Sequence, residues 1–371
     1  MTATRSARPT APAHLNALTG IRGVAAWLVV LYHIRLSLTG ILPADAIAVM
    51  AKGYLAVDLF FILSGFVLWY NYAERLQGGG LAEARLFLWR RIARIWPLHA
   101  VILALFVLFA LALAVTGRDT AGYPFAELPL HLVLAQNWGL TSELAWNHPA
   151  WSISTELAAY LLFPIVVSAV RWQRLPTPAL LALALAQTVA IHLLFALGGH
   201  DDLGDAISSL GLWRCLIEFS LGNLLCLLWL RWRGRKLAAA GAAAACAAVV
   251  ATGWAFGWPE TAFVPAAFAA GLMALALGKG ALIRALGSRV PVYLGEISYS
   301  TYLAHYFLFI VFKLFFVDAS LQVGWPGLAG FLVIVLLASV GFYHLVEKPA
   351  QWLFNRHRPR WPLGAKSLPA E

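Results

Sequence analysis

The sequence predicts an all-α, polytopic integral membrane protein with about ten transmembrane helices and both termini cytoplasmic. Three observations predict it. The 371 residues are 61% hydrophobic but only 12% charged, whereas a soluble domain is about 45–50% apolar and about 25% charged. The apolar residues gather into runs near the roughly 20 residues that a bilayer-spanning helix needs. Most of the charged residues fall between those runs, and the loops so formed alternate between arginine-rich and mainly acidic along the chain. Helices are the expected element because lipid offers no partner to backbone N–H and C=O groups.

The ten runs, in order, are 15–38, 54–73, 95–116, 150–170, 177–198, 207–230, 237–256, 261–279, 293–316 and 326–346. The first is too long for the apolar core of a cleavable signal peptide and carries Arg22 inside it, so it reads as a retained span. One set of loops holds Arg5 and Arg8; Arg75, Arg85, Arg90, Arg91 and Arg94; Arg171 and Arg174; Arg231, Arg233, Arg235 and Lys236; Lys279, Arg284 and Arg289; and Lys348, Arg356, Arg358 and Arg360. The other set holds Asp45 and Lys52; Arg118, Asp119, Glu127 and Glu143; Asp201, Asp202 and Asp205; Glu260; and Asp318. By the positive-inside rule the first set, and with it both termini, is cytoplasmic. A missed or false span would scramble this alternation, so it supports the count of ten.

The division expected is a flexible cytoplasmic tail at 1–13, a transmembrane domain at 14–350 and a basic cytoplasmic tail at 351–371. The net charge of +10 sits in short loops between spans, which topology explains better than a nucleic-acid partner. Cys215, Cys226 and Cys246 all fall in apolar runs, which argues against a disulfide framework, and no spacing suggests a metal site.

Ionisable residues inside spans are costly and usually face a protein-lined cavity. Arg22 and His33 both lie in the first span, eleven residues apart. Three helical turns separate them, so they leave one face about 16 Å apart along the axis. The competing reading for Arg22 is a side chain that snorkels to the headgroups. With the loop assignment, Arg22 falls in the cytoplasmic third of its span. His33, Asp58, Glu156 and His305 fall in a common outer-half layer, with Glu156 roughly 9 Å below the outer surface.

Three segments carry candidate chemistry. RRIARIWPLH places Arg90, Arg91 and Arg94 at the cytoplasmic start of the third span. Arg90 and Arg94 share a helix face, and guanidinium forks suit phosphate; the competing reading is an ordinary positive-inside loop. NHPAWSISTELAAYLLFP carries Asn147, Trp151, Ser152, Ser154 and Glu156. A carboxylate can orient an imidazole, so His33 with Glu156 or Asp58 would make a general-base pair for a hydroxyl. A structural ion pair is the alternative. Ser64, Ser152 and Ser154 are candidate nucleophiles, but no GxSxG elbow surrounds them, and they read mainly as helix-contact or capping residues. YLGEISYSTYLAHY puts Ser298, Tyr302 and His305 on one helix face. His305 suits a second proton carrier, a substrate contact or a satisfied core histidine.

Taken together these segments resemble the membrane-bound acyltransferase 3 family, which includes bacterial polysaccharide O-acetyltransferases. The resemblance spans about residues 14–350. It rests on Arg22 and His33 in LTGIRGVAAWLVVLYH, on VDLFFILSGFVLWY with Asp58 and Ser64, and on RRIARIWPL. It rests also on Trp151, Ser152 and Glu156 with Asn147 before them, on LGEISYSTYLAH, and on the closing VEKP with Glu347 and Pro349.

The resemblance implies transfer of an acyl group, most often acetyl, from cytoplasmic acetyl-CoA to a hydroxyl of a glycan or other acceptor. The setting it implies is the bacterial cytoplasmic (inner) membrane. Arg22, with Arg90, Arg91 and Arg94, would hold the CoA phosphates, and His33 would act at the acyl group. Asn147, Trp151, Ser152, Ser64, Tyr302 and His305 would line the substrate cavity. Some relatives carry an extra soluble esterase-like domain; none is read in this sequence, so the chain would act alone or with a separate partner. Polysaccharide-assembly proteins or a second copy of the chain are candidates. Two other readings stay open: a proton-coupled transporter or flippase, against which the lack of inverted repeats counts, and an acyltransferase acting on a small metabolite such as a macrolide.

Overall fold

The computed structural model describes residues 13–317 and 320–357. The expected N-terminal tail but for Ala13, and the expected C-terminal tail from residue 358 on, lie outside them, as do Arg5, Arg8, Asp318, Arg358 and Arg360 of the loop charges. Among the described residues every regular element is helical: α1 (Ala13–Ile34), α2 (Ala44–Ala51), α3 (Ala56–Val115), α4 (Leu128–Leu132), α5 (Ala150–Ala169), α6 (Thr177–Leu197), α7 (Ile207–Trp232), α8 (Ala238–Ala255), α9 (Glu260–Leu277), α10 (Ala281–Leu286), α11 (Arg289–Glu296), α12 (Ser298–Phe316), α13 (Trp325–Phe342) and α14 (Lys348–Arg356).

Nine helical runs among the described residues are long and apolar enough to cross a bilayer, one fewer than the sequence expects. The difference lies in α3. Gly80 there has φ 57° and ψ −150°, a left-handed conformation that side-chain-bearing residues rarely adopt. The chain reverses at it. The rings of Tyr72 and Phe87 lie 5.1 Å apart, and Arg91 Nη2 donates to the Tyr72 hydroxyl at 3.0 Å. In an unbroken helix residues 72 and 91 would be separated by about 28 Å. α3 therefore supplies two antiparallel crossings, the expected second and third spans. Ten crossings put α1's first turn and α14 at one face, together with the arginine-bearing turns; we call it the basic face.

Three details depart from expectation. The ninth span is broken at Ile297, so that α11 lies against α1 and only α12 crosses. There a Cβ on Gly23 would lie 2.8 Å from the Gly295 nitrogen. Residues 351–356, expected in the basic tail, belong to α14, which docks on α3 through a hydrogen bond from Trp89 Nε1 to the Phe354 carbonyl, 3.0 Å. A π-helical turn at Tyr343–Glu347 joins α13 to α14; such turns re-aim side chains, and this one carries Glu347.

The third departure has the largest consequence. The segment between α3 and α5, expected as an outer loop, folds back into the bundle. Trp96 Nε1 donates to Leu132 O at 3.0 Å, and His99 Nε2 lies 2.7 Å from His131 O. His99 is sixteen residues before the end of α3, about 24 Å along the helix. Buried Leu134 and Trp146 hold positive φ values of 58° and 57° at bends of this segment. Irregular backbone at such depth is tolerated where protein surrounds it: Asn137 N donates to Ser154 Oγ, and Asn137 Nδ2 donates to Ile207 O.

The first half of α3 and α7 cross with their backbones in contact. A Cβ on Gly65 would sit 1.9 Å from Phe219 O, and one on Gly222 would sit 1.9 Å from Ile62 O. Small residues permit such approach between membrane helices. The two segments run parallel, so Asp58, one face-repeat before Gly65, meets Arg214, a similar distance before Gly222.

Candidate functional site

Two cavities at the two ends of α1's polar face hold most of the residues singled out by sequence. The one toward the basic face, about 140 Å³, is lined by Arg22, Ser64, Arg91, Arg94, Glu156 and Tyr160, among others. The second, about 290 Å³, is lined by His33, Arg35, His148, Trp151, Arg214 and Tyr306, among others. Val57 and Tyr302 line both. The Tyr302 and Ser152 hydroxyls share a 2.8 Å hydrogen bond, and each lies within reach of Pro149 O, at 3.1 and 3.0 Å. This polar knot stands between the cavities.

In the first cavity the arginines differ in their partners. Arg94 pairs with buried Glu347, whose other oxygen accepts from Ser300 Oγ at 2.8 Å. Arg91 is tied to Tyr72 through one terminal nitrogen, while its buried Nε has no protein partner. Among the described residues Arg22 has no hydrogen-bond or ion-pair partner. Glu156 accepts from Ser64 Oγ at 2.5 Å. The cavity thus offers guanidinium donors that the protein does not saturate, an arrangement suited to an anion. Arg90 is half-buried and does not line it: on α3 the cavity-facing pair is Arg91 and Arg94, so the expected Arg90–Arg94 face is not the one that turns inward.

In the second cavity His33 Nδ1 lies 2.9 Å from Val29 O and 3.1 Å from His305 Nε2. His305 Nδ1 lies 3.2 Å from Thr301 O. A backbone carbonyl can only accept, so His305 donates through Nδ1 and its Nε2 accepts from His33 Nδ1–H. That network assigns the tautomer and leaves the lone pair on His33 Nε2. The Tyr306 ring lies 5.3 Å from that of His33 and shares a 3.1 Å hydrogen bond with His148 Nδ1.

The expected partners of His33 are corrected here. Among the described residues no carboxylate hydrogen-bonds it. Asp58 instead forms a two-pronged pair with Arg214, 2.6 Å on each side, both fully buried. Arg214 lies in the expected sixth span, and the test that picked out Arg22 would have picked it out too. Glu156 lies in the other cavity, with the arginines. The common outer layer fails because α5 does not start at the outer surface: the infolded segment delivers Pro149 and Ser152 to the depth of Tyr302, and Glu156 follows one turn deeper. Asn147 is buried and donates to Leu303 O at 3.0 Å, and Trp151 lies under the Arg214 guanidinium, 5.5 Å from its ring centre. Glu347, known from sequence only as part of the closing motif, turns out to position Arg94.

The acyltransferase-domain family model matches residues 15–344 of the chain. The chain is similar to Acyltransferase MdmB of Streptomyces mycarofaciens, 30% identical over 93% of this chain and 94% of that one. It is also similar to Protein 2 in picA locus of Rhizobium radiobacter, 34% identical over 50% of this chain and 96% of that one. Exopolysaccharide production protein ExoZ of Rhizobium meliloti (strain 1021) is 28% identical over 83% of this chain and 92% of that one. No solved structure matches the chain.

Proposed function

The chain belongs to the acyltransferase 3 family, and on that premise we propose that it moves an acetyl group from acetyl-CoA to a hydroxyl of a glycan or its lipid-linked precursor. The observation that carries this reading is the pair of cavities meeting at Tyr302, one with unsaturated guanidinium donors and the other with a basic imidazole nitrogen. The basic face is cytoplasmic by the positive-inside rule, in a bacterial inner membrane. CoA enters there with its phosphates against Arg22, Arg91 and Arg94. The roughly 16 Å between Arg22 and His33 along α1 lets the extended arm hold its thioester at the Tyr302–Ser152 knot.

The acceptor hydroxyl comes from the His33 cavity. Its proton passes to His33 Nε2, and its oxygen bonds to the thioester carbonyl carbon. The carbonyl oxygen becomes an oxyanion, which the Tyr302 and Ser152 hydroxyls are placed to stabilise. Collapse breaks the C–S bond; the ester leaves toward the acceptor side, and the CoA thiolate recovers the proton. Val29 O and His305 Nε2, both within reach of the Nδ1 hydrogen, hold the imidazole in the required tautomer, the task a carboxylate performs in other triads.

The name of ExoZ supports a polysaccharide acceptor. A small-molecule acceptor is the competing reading, and MdmB, aligned over nearly the whole chain and named only as an acyltransferase, favours neither; family membership favours both over transport. Membrane vesicles of defined orientation separate them. Acetyl-CoA supplied at the basic face is expected to label acceptor on the opposite side. Label appearing only on the side where CoA is supplied would favour the small-molecule reading, and no label on any acceptor would sink the transfer reading.

A further inference from the structure

A hollow of about 890 Å³ lies apart from both cavities and shares no lining residue with them. α7 and α9 form its floor with Leu221, Leu225, Leu228 and Met273. The two helices are joined where Trp229 Nε1 donates to Ala276 O at 3.1 Å. α6 and α8 form its walls. α8 packs on α9, where a Cβ on Gly253 would lie 2.6 Å from the Phe263 ring. The wall residues Leu181, Leu185, Gly241 and Ala245 are exposed, so the hollow is a groove open on its side.

Three helices line the groove over the same length. Thr177 to Thr188, Leu221 to Trp232 and Ala238 to Val249 each cover eleven helical steps, about 16 Å. Half the hydrocarbon core of a bilayer is about 15 Å. The groove therefore starts at the basic face and ends near the midplane, one leaflet deep. Its mouth is charged. Arg235 lines it and is exposed, and among the described residues its guanidinium has no hydrogen-bond or ion-pair partner. Arg231 is already engaged by Thr177 Oγ1, Gln173 O and Leu175 O, at 3.1, 3.2 and 2.6 Å, and pins α6 to α7 there. Arg233 and Lys236 add exposed charge in the same turn. No acidic residue occurs at 157–200 or 219–259 to offset them.

An apolar groove left empty forfeits dispersion contacts that hydrocarbon restores. A guanidinium fork matches phosphate, and a basic pocket between membrane helices suits an acidic headgroup. We infer that the groove holds a phospholipid of the leaflet at the basic face, with its acyl chains between α6 and α8 and its phosphodiester on Arg235. The headgroup is net anionic, of the phosphatidylglycerol type. The ammonium of a zwitterionic headgroup would meet Arg233 and Lys236 with no carboxylate to receive it. This lipid is distinct from either substrate, because the groove and the two cavities have no residue in common.

Native mass spectrometry of the full chain, released from nanodiscs of equal phosphatidylglycerol and phosphatidylcholine, tests the site. Phosphatidylglycerol is expected to be retained about fivefold or more over phosphatidylcholine. Arg235→Gln is expected to remove most of that preference. Ala245→Trp, which fills the groove partway down, is expected to lower retention of both lipids. Arg85→Gln alters a likewise exposed arginine of the basic face outside the groove, and the preference is expected to survive it. Equal retention of the two lipids, or an equal loss in Arg85→Gln and Arg235→Gln, would mean diffuse surface charge and overturn the inference. Retention untouched by Ala245→Trp would overturn it too. So would a lipid-free dimer that Ala245→Trp splits, which would put a second copy of the chain in the groove.

Discussion

The Arg22 cavity and the His33 cavity are built from opposite hydrogen-bonding chemistries. The first presents guanidinium N–H groups; among the described residues Arg94 engages Glu347 through one terminal nitrogen and Arg91 engages Tyr72 through another, and Arg22 has no partner. The second presents the lone pair of His33 Nε2. Its one fully buried cation, Arg214, is already neutralised by Asp58. The difference teaches that one helix face can present opposite polarities at its two ends. On the acyl-transfer reading proposed above, the end near the basic face holds the anionic donor, the other end the hydroxyl acceptor, and the reacting atoms meet at Tyr302.

Five changes break or sharpen that contrast. His33→Ala removes the base from one cavity and leaves the other untouched; transfer is expected to fall about 10²- to 10⁴-fold while acetyl-CoA still binds. Loss of acetyl-CoA binding in the same measurement would show that the cavities are not separable. Asp58→Ala takes from buried Arg214 the carboxylate that holds it on two sides, a loss of up to about 3–5 kcal/mol, read as a lower unfolding temperature and a smaller folded yield. Replacing both partners with apolar residues is expected to recover most of that loss, since the pair's desolvation penalty disappears with it.

Arg22→Ala removes one charge-assisted contact, and donor affinity is expected to drop about 10- to 100-fold, with the acceptor KM unchanged. A raised acceptor KM would place Arg22 in the wrong cavity. The imidazoles of the infolded segment between α3 and α5 supply a pH signature. Burial pushes His131 down to about 4 and lowers His148 as well. A folded-state value below the unfolded one means that the unfolded chain binds more protons, so stability is lost as pH falls below about 6.5. For His131 the loss between pH 7 and pH 5 is about 2 kcal/mol; His131→Asn is expected to flatten the slope of unfolding temperature against pH, and an unchanged slope would mean that this imidazole charges freely. Glu347→Gln is the mildest change. It frees Arg94 without removing it, and donor affinity is expected to fall by about fivefold, near 1 kcal/mol, with kcat for bound donor retained.

Much of the fold was legible because hydropathy is a local property. The ten crossings could be counted from apolar runs, and even the doubled α3 falls into the two runs expected at 54–73 and 95–116. Arg22, His33, Ser64, Ser152, Tyr302 and His305 could be picked out one by one, since each is a polar group within an apolar run. What could not be read was their pairing. Asp58 looks toward Arg214 because Gly65 and Gly222 let two backbones touch, a fact about two distant segments at once. Glu156 joins the arginines because the 117–149 segment, too polar and too broken by Gly and Pro to register as a span, folds inward and lowers the start of α5.

The sequence by itself determined that this chain spans the bilayer about ten times, with its positive loops on one face, and that Arg22 and His33 leave one side of one helix at two depths. Helical periodicity and the cost of charge in lipid suffice for that, because both act within a single segment. Only the tertiary structure decided which carboxylate serves which cation, that His33 leans on His305 rather than on an acid, and that Tyr302 stands between two cavities of opposite chemistry. Those outcomes depend on where each helix begins and how closely its neighbours approach. Depth and approach are set jointly by segments far apart in the chain.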